Sequence, residues 1–106
     1  MKLTVIITQS NPEQVFTALR LANFAKSKGD EVSMFLTAEG VEMEHLNDPR
    51  FDIKGQANTF IQQGGSIESC GTCLKLRSIE GGDICTNSTM QGLYNMITAS
   101  DKVITF

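Results

Sequence analysis

The chain reads as an α/β fold, a three-layer α/β/α sandwich around a mostly parallel sheet of four or five strands with flavodoxin-like architecture. Three observations predict it. Leu3-Thr4-Val5-Ile6-Ile7 is rich in β-branched apolar residues with little polar alternation, the pattern of a central strand covered on both faces. A segment with apolar residues at three-to-four spacing follows, as in an amphipathic helix. Glu31 to Thr37 then reads as a second strand, and the order strand, helix, strand implies parallel strands joined by a right-handed crossover.

Each element has its local signals. Thr8 to Glu13 starts the first helix, either as a capping box of Ser10 and Glu13 or with Asn11 as cap and Pro12 as first residue. Val15, Ala18, Leu19, Ala22 and Ala25 carry its apolar spacing, and Lys28-Gly29 supplies a basic last turn and a stop, so a helix is predicted over roughly Pro12 to Lys28. Ala38 to Arg50, with Gly40 and Pro49, reads as a loop with a helical turn around Val41 to Leu46. Its length invites a functional role or an oligomer contact. From Asp52 to Gln63, Ala57, Phe60 and Ile61 line one helical face, ended by Gly64-Gly65. A third strand follows and leads into Cys70, after which a short helix is placed around Leu74 to Ile79. Glu80-Gly81-Gly82-Asp83 reads as a turn and Ile84-Cys85 as a brief strand. Met90, Leu93, Tyr94 and Ile97 mark the stripe of a last helix, read as core or subunit contact rather than a cofactor box, and no cofactor is expected. Lys102 to Phe106 closes the chain as a strand.

Composition narrows the function. At 106 residues the chain is expected to form a single domain over 1–106 with one hydrophobic core. Apolar residues make up 41% and charged residues 20%, ordinary for a globular protein. The apolar runs are strand-sized, and no secretory segment follows Met1-Lys2, so no membrane span and a cytoplasmic location are expected. A net charge of −3 with scattered Lys and Arg argues against a nucleic-acid surface. Three cysteines cannot all pair within one chain, which turns their reading from scaffold toward chemistry or metal.

Cys70-Gly71-Thr72-Cys73 carries the main chemical signal. In an α/β sandwich, sites lie at the carboxyl ends of strands, and Cys70 falls at such an end, just before a helix start. Free backbone N–H groups there favour a thiolate and lower a cysteine pKa from about 8.5 toward ~7 or below. The amides of Thr72 and Cys73 and the Thr72 hydroxyl are the expected donors to Cys70, with Gly71 leaving room for a partner's backbone. Cys73 fits two roles equally, a resolving thiol or a small filler facing the sheet. Arg77 is a support for anionic sulfur or a surface arginine at a helix end. His45, the only histidine, reads as a solvated loop residue, with a swing over the cysteine as the alternative. Ser10 and Asn11 are explained by capping.

Taken together, the opening strand Leu3 to Thr8, Val15-Phe16-Thr17-Ala18-Leu19-Arg20-Leu21-Ala22, Lys28-Gly29, Phe35 to Val41, Gly64-Gly65 ahead of the cysteine strand, Arg77, and Ala99 to Phe106 make the chain resemble the DsrE/DsrF-like (DsrEFH, TusD-type) family of small sulfur-relay proteins. The resemblance covers nearly the whole chain. It implies that the cysteine ending the third strand, here Cys70, accepts sulfane sulfur as a persulfide and hands it to a partner protein. Family relay subunits follow that cysteine with small apolar residues and Leu-Arg-Arg-Gly, whereas here Gly71, Thr72, Cys73 and Leu76-Arg77-Ser78 follow. The resemblance further implies donor and acceptor proteins as partners, and assembly as a homo-oligomer, trimer or hexamer, or with related subunits.

Three other readings compete. A thiol–disulfide redox protein using Cys70 and Cys73 is one, although the motif follows the third strand and no proline follows Pro49, unlike a thioredoxin. A zinc module with Cys70, Cys73, Cys85 and His45 as ligands is another, lacking the second short-spaced pair usual in structural sites. A non-catalytic assembly subunit is the third, against which the presence of Cys70 counts.

Overall fold

Lys2–Ile7 forms β1, and the remaining elements are arranged around it. They run α1 (Pro12–Ser27), β2 (Glu31–Leu36), a 3-10 helix (Ala38–His45), α2 (Ile53–Gln62), β3 (Ser66–Cys70), α3 (Gly71–Leu76), β4 (Thr86–Ser88), α4 (Met90–Thr98) and β5 (Lys102–Thr105). The structure, a computed structural model, describes residues 1–82 and 84–106. Asp83, the last residue of the expected turn, lies outside the described residues.

The sheet has five strands in the order β4-β3-β2-β1-β5, all parallel, with helices on both sides. Three crossovers step one way across it, and the right-handed rule puts the helices between β1 and β4 on a single face. The last connection returns across the whole sheet and carries α4 over the other face. Paired residues of parallel strands point the same way, which sorts the side chains. Leu3, Val5 and Ile7 share a face with Val32, Met34, Leu36 and Ile67. Val15, Ala18, Leu19 and Ala22 of α1 and Ile53, Ala57 and Phe60 of α2 are buried with them. Burying a large apolar side chain contributes about 1.5–3 kcal/mol, so this layer supplies most of the cohesion. Thr4, Phe35, Glu68 and Cys70 point to the α4 side. There the Thr4 hydroxyl donates to the Met96 carbonyl at 3.3 Å.

Several local expectations shift. Asn11 is the cap of α1, accepting from the Gln14 N–H at 3.2 Å, so the Pro12-first register is the one used. Ser10 instead donates to Glu39 at 3.2 Å. The loop expected after β2 is helical from Ala38 itself, in 3-10 form, and Asp52 caps α2 through the Gly55 N–H. The short helix starts at Gly71, three positions ahead of the Leu74 expected, because Cys70 is both the last strand residue and the helix cap. Ile84 and Cys85 form no strand. β4 is Thr86–Ser88, whose polar side chains gave no apolar signal. On α4, Met90 and Tyr94 are 70% and 63% exposed and Ile97 is also exposed, so of the expected stripe only Leu93 packs against the core. The helix turns Met96, with Leu93 beside it, toward the sheet instead.

Candidate functional site

The loops after β2, β3 and β4 meet at the carboxyl end of the sheet around a cleft of about 590 Å³. Cys70 and Cys73 line it, with Thr37, Gly71, Thr72 and Lys75 on one side and Asn87, Ser88, Thr89 and Met90 on the other. β3 delivers Cys70 to its last position, and strand alternation aims it to the α4 face, where β4 pairs Cys70 with Ser88. The residue is 8% exposed. α3 then carries Cys73 one turn on, half-buried beside the end of β2.

The polar contacts converge on the second cysteine. The Ala38 N–H donates to Cys73 Sγ at 3.2 Å, and Thr37 Oγ1 lies 3.6 Å from the same sulfur. Cys70 lines the same cleft one helical turn before Cys73. Burial by itself raises the Cys73 pKa, but Thr37, Cys70, the Ala38 amide and the Arg77 charge together outweigh it and hold the thiol below its ordinary value. Cys70, in contrast, makes no side-chain hydrogen bond as the cap of α3, so the expected donation from the amides at the start of that helix is not made. The six residues of α3 leave little room for a dipole, and the sulfur of Cys70 is directed to the cleft instead of back over the helix.

Two backbone features fix the donors. Ala38 has φ of 51°, in the left-handed region that costs an L-residue about 1–2 kcal/mol. Gly40 lies so close to β1 that an added Cβ would sit 2.1 Å from the Ile7 carbonyl oxygen. That oxygen also accepts from the Thr37 N–H at 3.0 Å, so the strand end and the 3-10 helix are seated together on β1. Gly71 serves packing within the chain: an added Cβ would meet Asn87 Oδ1 at 2.5 Å and the Ser88 carbonyl at 3.0 Å. Arg77 closes α3, donating to the Cys73 carbonyl at 3.2 Å and pairing with Glu42 of the 3-10 helix at 3.1 Å.

The other candidates lie elsewhere. Cys85 is buried against Ser69 and Glu44, and because Ser69 and Cys70 point to opposite faces, the sheet separates Cys85 from the cleft. Burial first, and the Glu44 charge second, push its thiol up, with the Ser69 hydroxyl pulling weakly the other way. His45 is exposed at the end of the 3-10 helix, lining a separate cavity of about 450 Å³ with Leu46, Phe51 and Lys54. The four-ligand zinc set of Cys70, Cys73, Cys85 and His45 is therefore not brought together, and among the described residues no three His, Cys, Asp or Glu side chains gather to hold a metal.

The DsrE/DsrF-like family model matches residues 1–106. The chain belongs to the DsrE/DsrF-like family. The chain is also similar to an uncharacterized protein of Methanocaldococcus jannaschii, 32% identical with all of both chains covered, and to one of Methanopyrus kandleri, 31% identical over 98% of this chain and 93% of the relative. The crystal structure of the ychN protein from E. coli matches the whole of both chains with a TM-score of 0.85 at 24% identity, which establishes the shared fold. The DsrE/DsrF-like chain described here has no helix long and apolar enough to cross a membrane among its described residues.

Thr37 and Ala38 are the site residues that sequence reasoning missed. Both lie within the stretch Phe35 to Val41 that carries the family likeness, yet neither is a nucleophile or a strong base. The available signal was topological: loops at the carboxyl ends of adjacent parallel strands share one crevice, so the residues ending β2 had to border those ending β3.

Proposed function

We propose that this chain is a cytoplasmic sulfur-relay protein that accepts sulfane sulfur as a persulfide on Cys70 and passes it to a partner protein. Family membership supports the relay role, and the observation that carries it is the placement of Cys70 and Cys73 side by side on one cleft, with hydrogen-bond donors aimed at sulfur. Persulfide transfer needs a thiolate, access for a second protein and stabilisation of anionic sulfur. The cleft brings both cysteines to one surface and supplies the donors at Cys73. Its partners are sulfur donor and acceptor proteins, and the chain works as a homo-oligomer, trimer or hexamer, or with related subunits. Arg77, tied to the Cys73 carbonyl and to Glu42, supports the pair by holding α3 against the 3-10 helix and placing a positive charge near the sulfur.

The test is incubation with inorganic polysulfide followed by intact-mass analysis of wild type, Cys70→Ser and Cys85→Ser. Wild type and Cys85→Ser are expected to take up sulfur, retained as added mass or discharged as hydrosulfide, and Cys70→Ser to take up none. Equal uptake by Cys70→Ser and wild type refutes the assignment. The placement of both cysteines on one cleft also favours a second reading, thiol–disulfide redox activity of the Cys70/Cys73 pair. Reduction of insulin disulfides by the dithiol form, without persulfide uptake, would select it.

A further inference from the structure

A carrier needs only one sulfur-bearing thiol, yet the most elaborate surroundings in the cleft belong to the other cysteine. Cys73 Sγ takes the Ala38 N–H at 3.2 Å and has the Thr37 hydroxyl at 3.6 Å. The amide comes from the residue whose backbone is held in the left-handed region, and strain of this kind persists only where the surroundings over-determine it. Around this sulfur the structure places Cys70 at the end of β3, Arg77 just past the end of α3 with its charge shared with Glu42 of the 3-10 helix, and Lys75 on the cleft wall. The wall formed by β4 and α4 is uncharged, with Asn87, Ser88, Thr89 and Met90.

We propose that Thr37 and Ala38 form an anion hole for Cys73 Sγ, and that Cys73 attacks the persulfide on Cys70 and discharges its outer sulfur as hydrosulfide. This rests on the carrier reading above. The attack is on Cys70 Sγ, the near sulfur of the persulfide. A Cys73–Cys70 disulfide bond forms, the bond between Cys70 Sγ and the outer sulfur breaks, and its electron pair leaves with that sulfur as HS⁻. The two cysteine sulfurs are oxidised to the disulfide and the sulfane sulfur is reduced to sulfide. A dithiol reductant then supplies two electrons and two protons to restore both thiols, and is itself oxidised to a disulfide. Thr37 and Ala38 are positioning residues in this step. They favour the thiolate form of Cys73 and hold its sulfur at the cleft, consistent with the depressed thiol described above.

The experiment loads the full chain with inorganic polysulfide, removes the excess, and follows hydrosulfide release together with intact mass in the absence of added thiol. Wild type is expected to release hydrosulfide and end as the intramolecular disulfide, while Cys73→Ser retains its persulfide. Thr37→Val should release more slowly, with its pH–rate profile displaced to higher pH, and Thr37→Ser should restore both. Release from Cys73→Ser at the wild-type rate overturns the discharge while leaving the carrier reading intact. A chain that neither gains sulfur nor releases hydrosulfide, wild type and Cys73→Ser alike, overturns both. The anion hole is judged separately by iodoacetamide alkylation of Cys73 in the Cys70→Ser background. A reactivity midpoint that Thr37→Val leaves unmoved overturns it.

Discussion

Gly40→Ala tests whether the site is held from β1, a strand that lines no part of the cleft. The new Cβ would lie 2.1 Å from the Ile7 carbonyl oxygen and 2.7 Å from its carbon, more than about 1 Å inside ordinary contact. Ile7 ends a strand paired on both sides and cannot retreat, so the 3-10 helix has to lift. Overpacking of this sort costs about 1–3 kcal/mol. Lifting also strains the Thr37 N–H to Ile7 bond of 3.0 Å, and losing it adds about 1 kcal/mol. Together the expected destabilisation is about 2–4 kcal/mol, read as a lower urea midpoint at unchanged slope. Because the same residues place the Ala38 amide on Cys73, alkylation of Cys73 should slow in the folded variant at neutral pH. A midpoint that stays put, or a full loss of stability with Cys73 reactivity untouched, would show that the close approach of Gly40 to β1 does not hold the donors.

Three further outcomes follow from the same geometry. Ala38→Gly relieves a left-handed alanine while keeping its N–H, so it should be neutral or stabilising by up to about 1 kcal/mol and leave sulfur uptake intact, and a loss of more than about 1 kcal/mol in urea unfolding counts against the strain. Cys85 has its pKa raised on folding, so its contribution is complete below the ordinary thiol range of about 8.5 and is lost as pH rises above it. Cys85→Ala should therefore flatten the alkaline decline in urea midpoint, and Cys73→Ser, removing a depressed thiol of opposite sign, should steepen it. Phe60→Ala, at a side chain with no exposed surface, is expected to cost about 3–5 kcal/mol by thermal or urea unfolding, while a cost under about 1 kcal/mol would mean that α2 is not packed as described.

What the sequence made legible was whatever depends on local pattern. The run through Val5-Ile6-Ile7, the spacing of Val15, Leu19 and Ala22, and the Pro12 and Asp52 helix starts each state a preference within a few residues, and the structure follows them. The differences arise where a longer-range contact decides. Thr86–Ser88 is a strand because β3 offers it an edge, and nothing in its own polar residues says so. The α4 stripe was apolar along one line, but a helix over one side of the sheet turns inward whatever meets the core, and that is Leu93 and Met96. In the cleft, Cys70 and Cys73 were legible as nucleophiles, whereas the donors around Cys73 come from a strand end 35 residues earlier in the chain. No spacing rule links Ala38 to Cys73. Only the adjacency of β2 and β3 does.

The strand order also bears on how the chain reaches this state. β1 is made first and lies inside the sheet, but one of its two neighbours is β5, and the Lys2 N–H bonds the Asp101 carboxylate 99 residues along the chain. Closing so long a loop is slow compared with pairing β1 to β2. Until the last strand docks, the open hydrogen-bonding edge of β1, with Val5 and Ile6 along it, is a template for another chain. Deleting Lys102–Thr105 should thus be felt less as a loss of burial than as insolubility during synthesis, with soluble yield dropping before any folded-state defect can be measured.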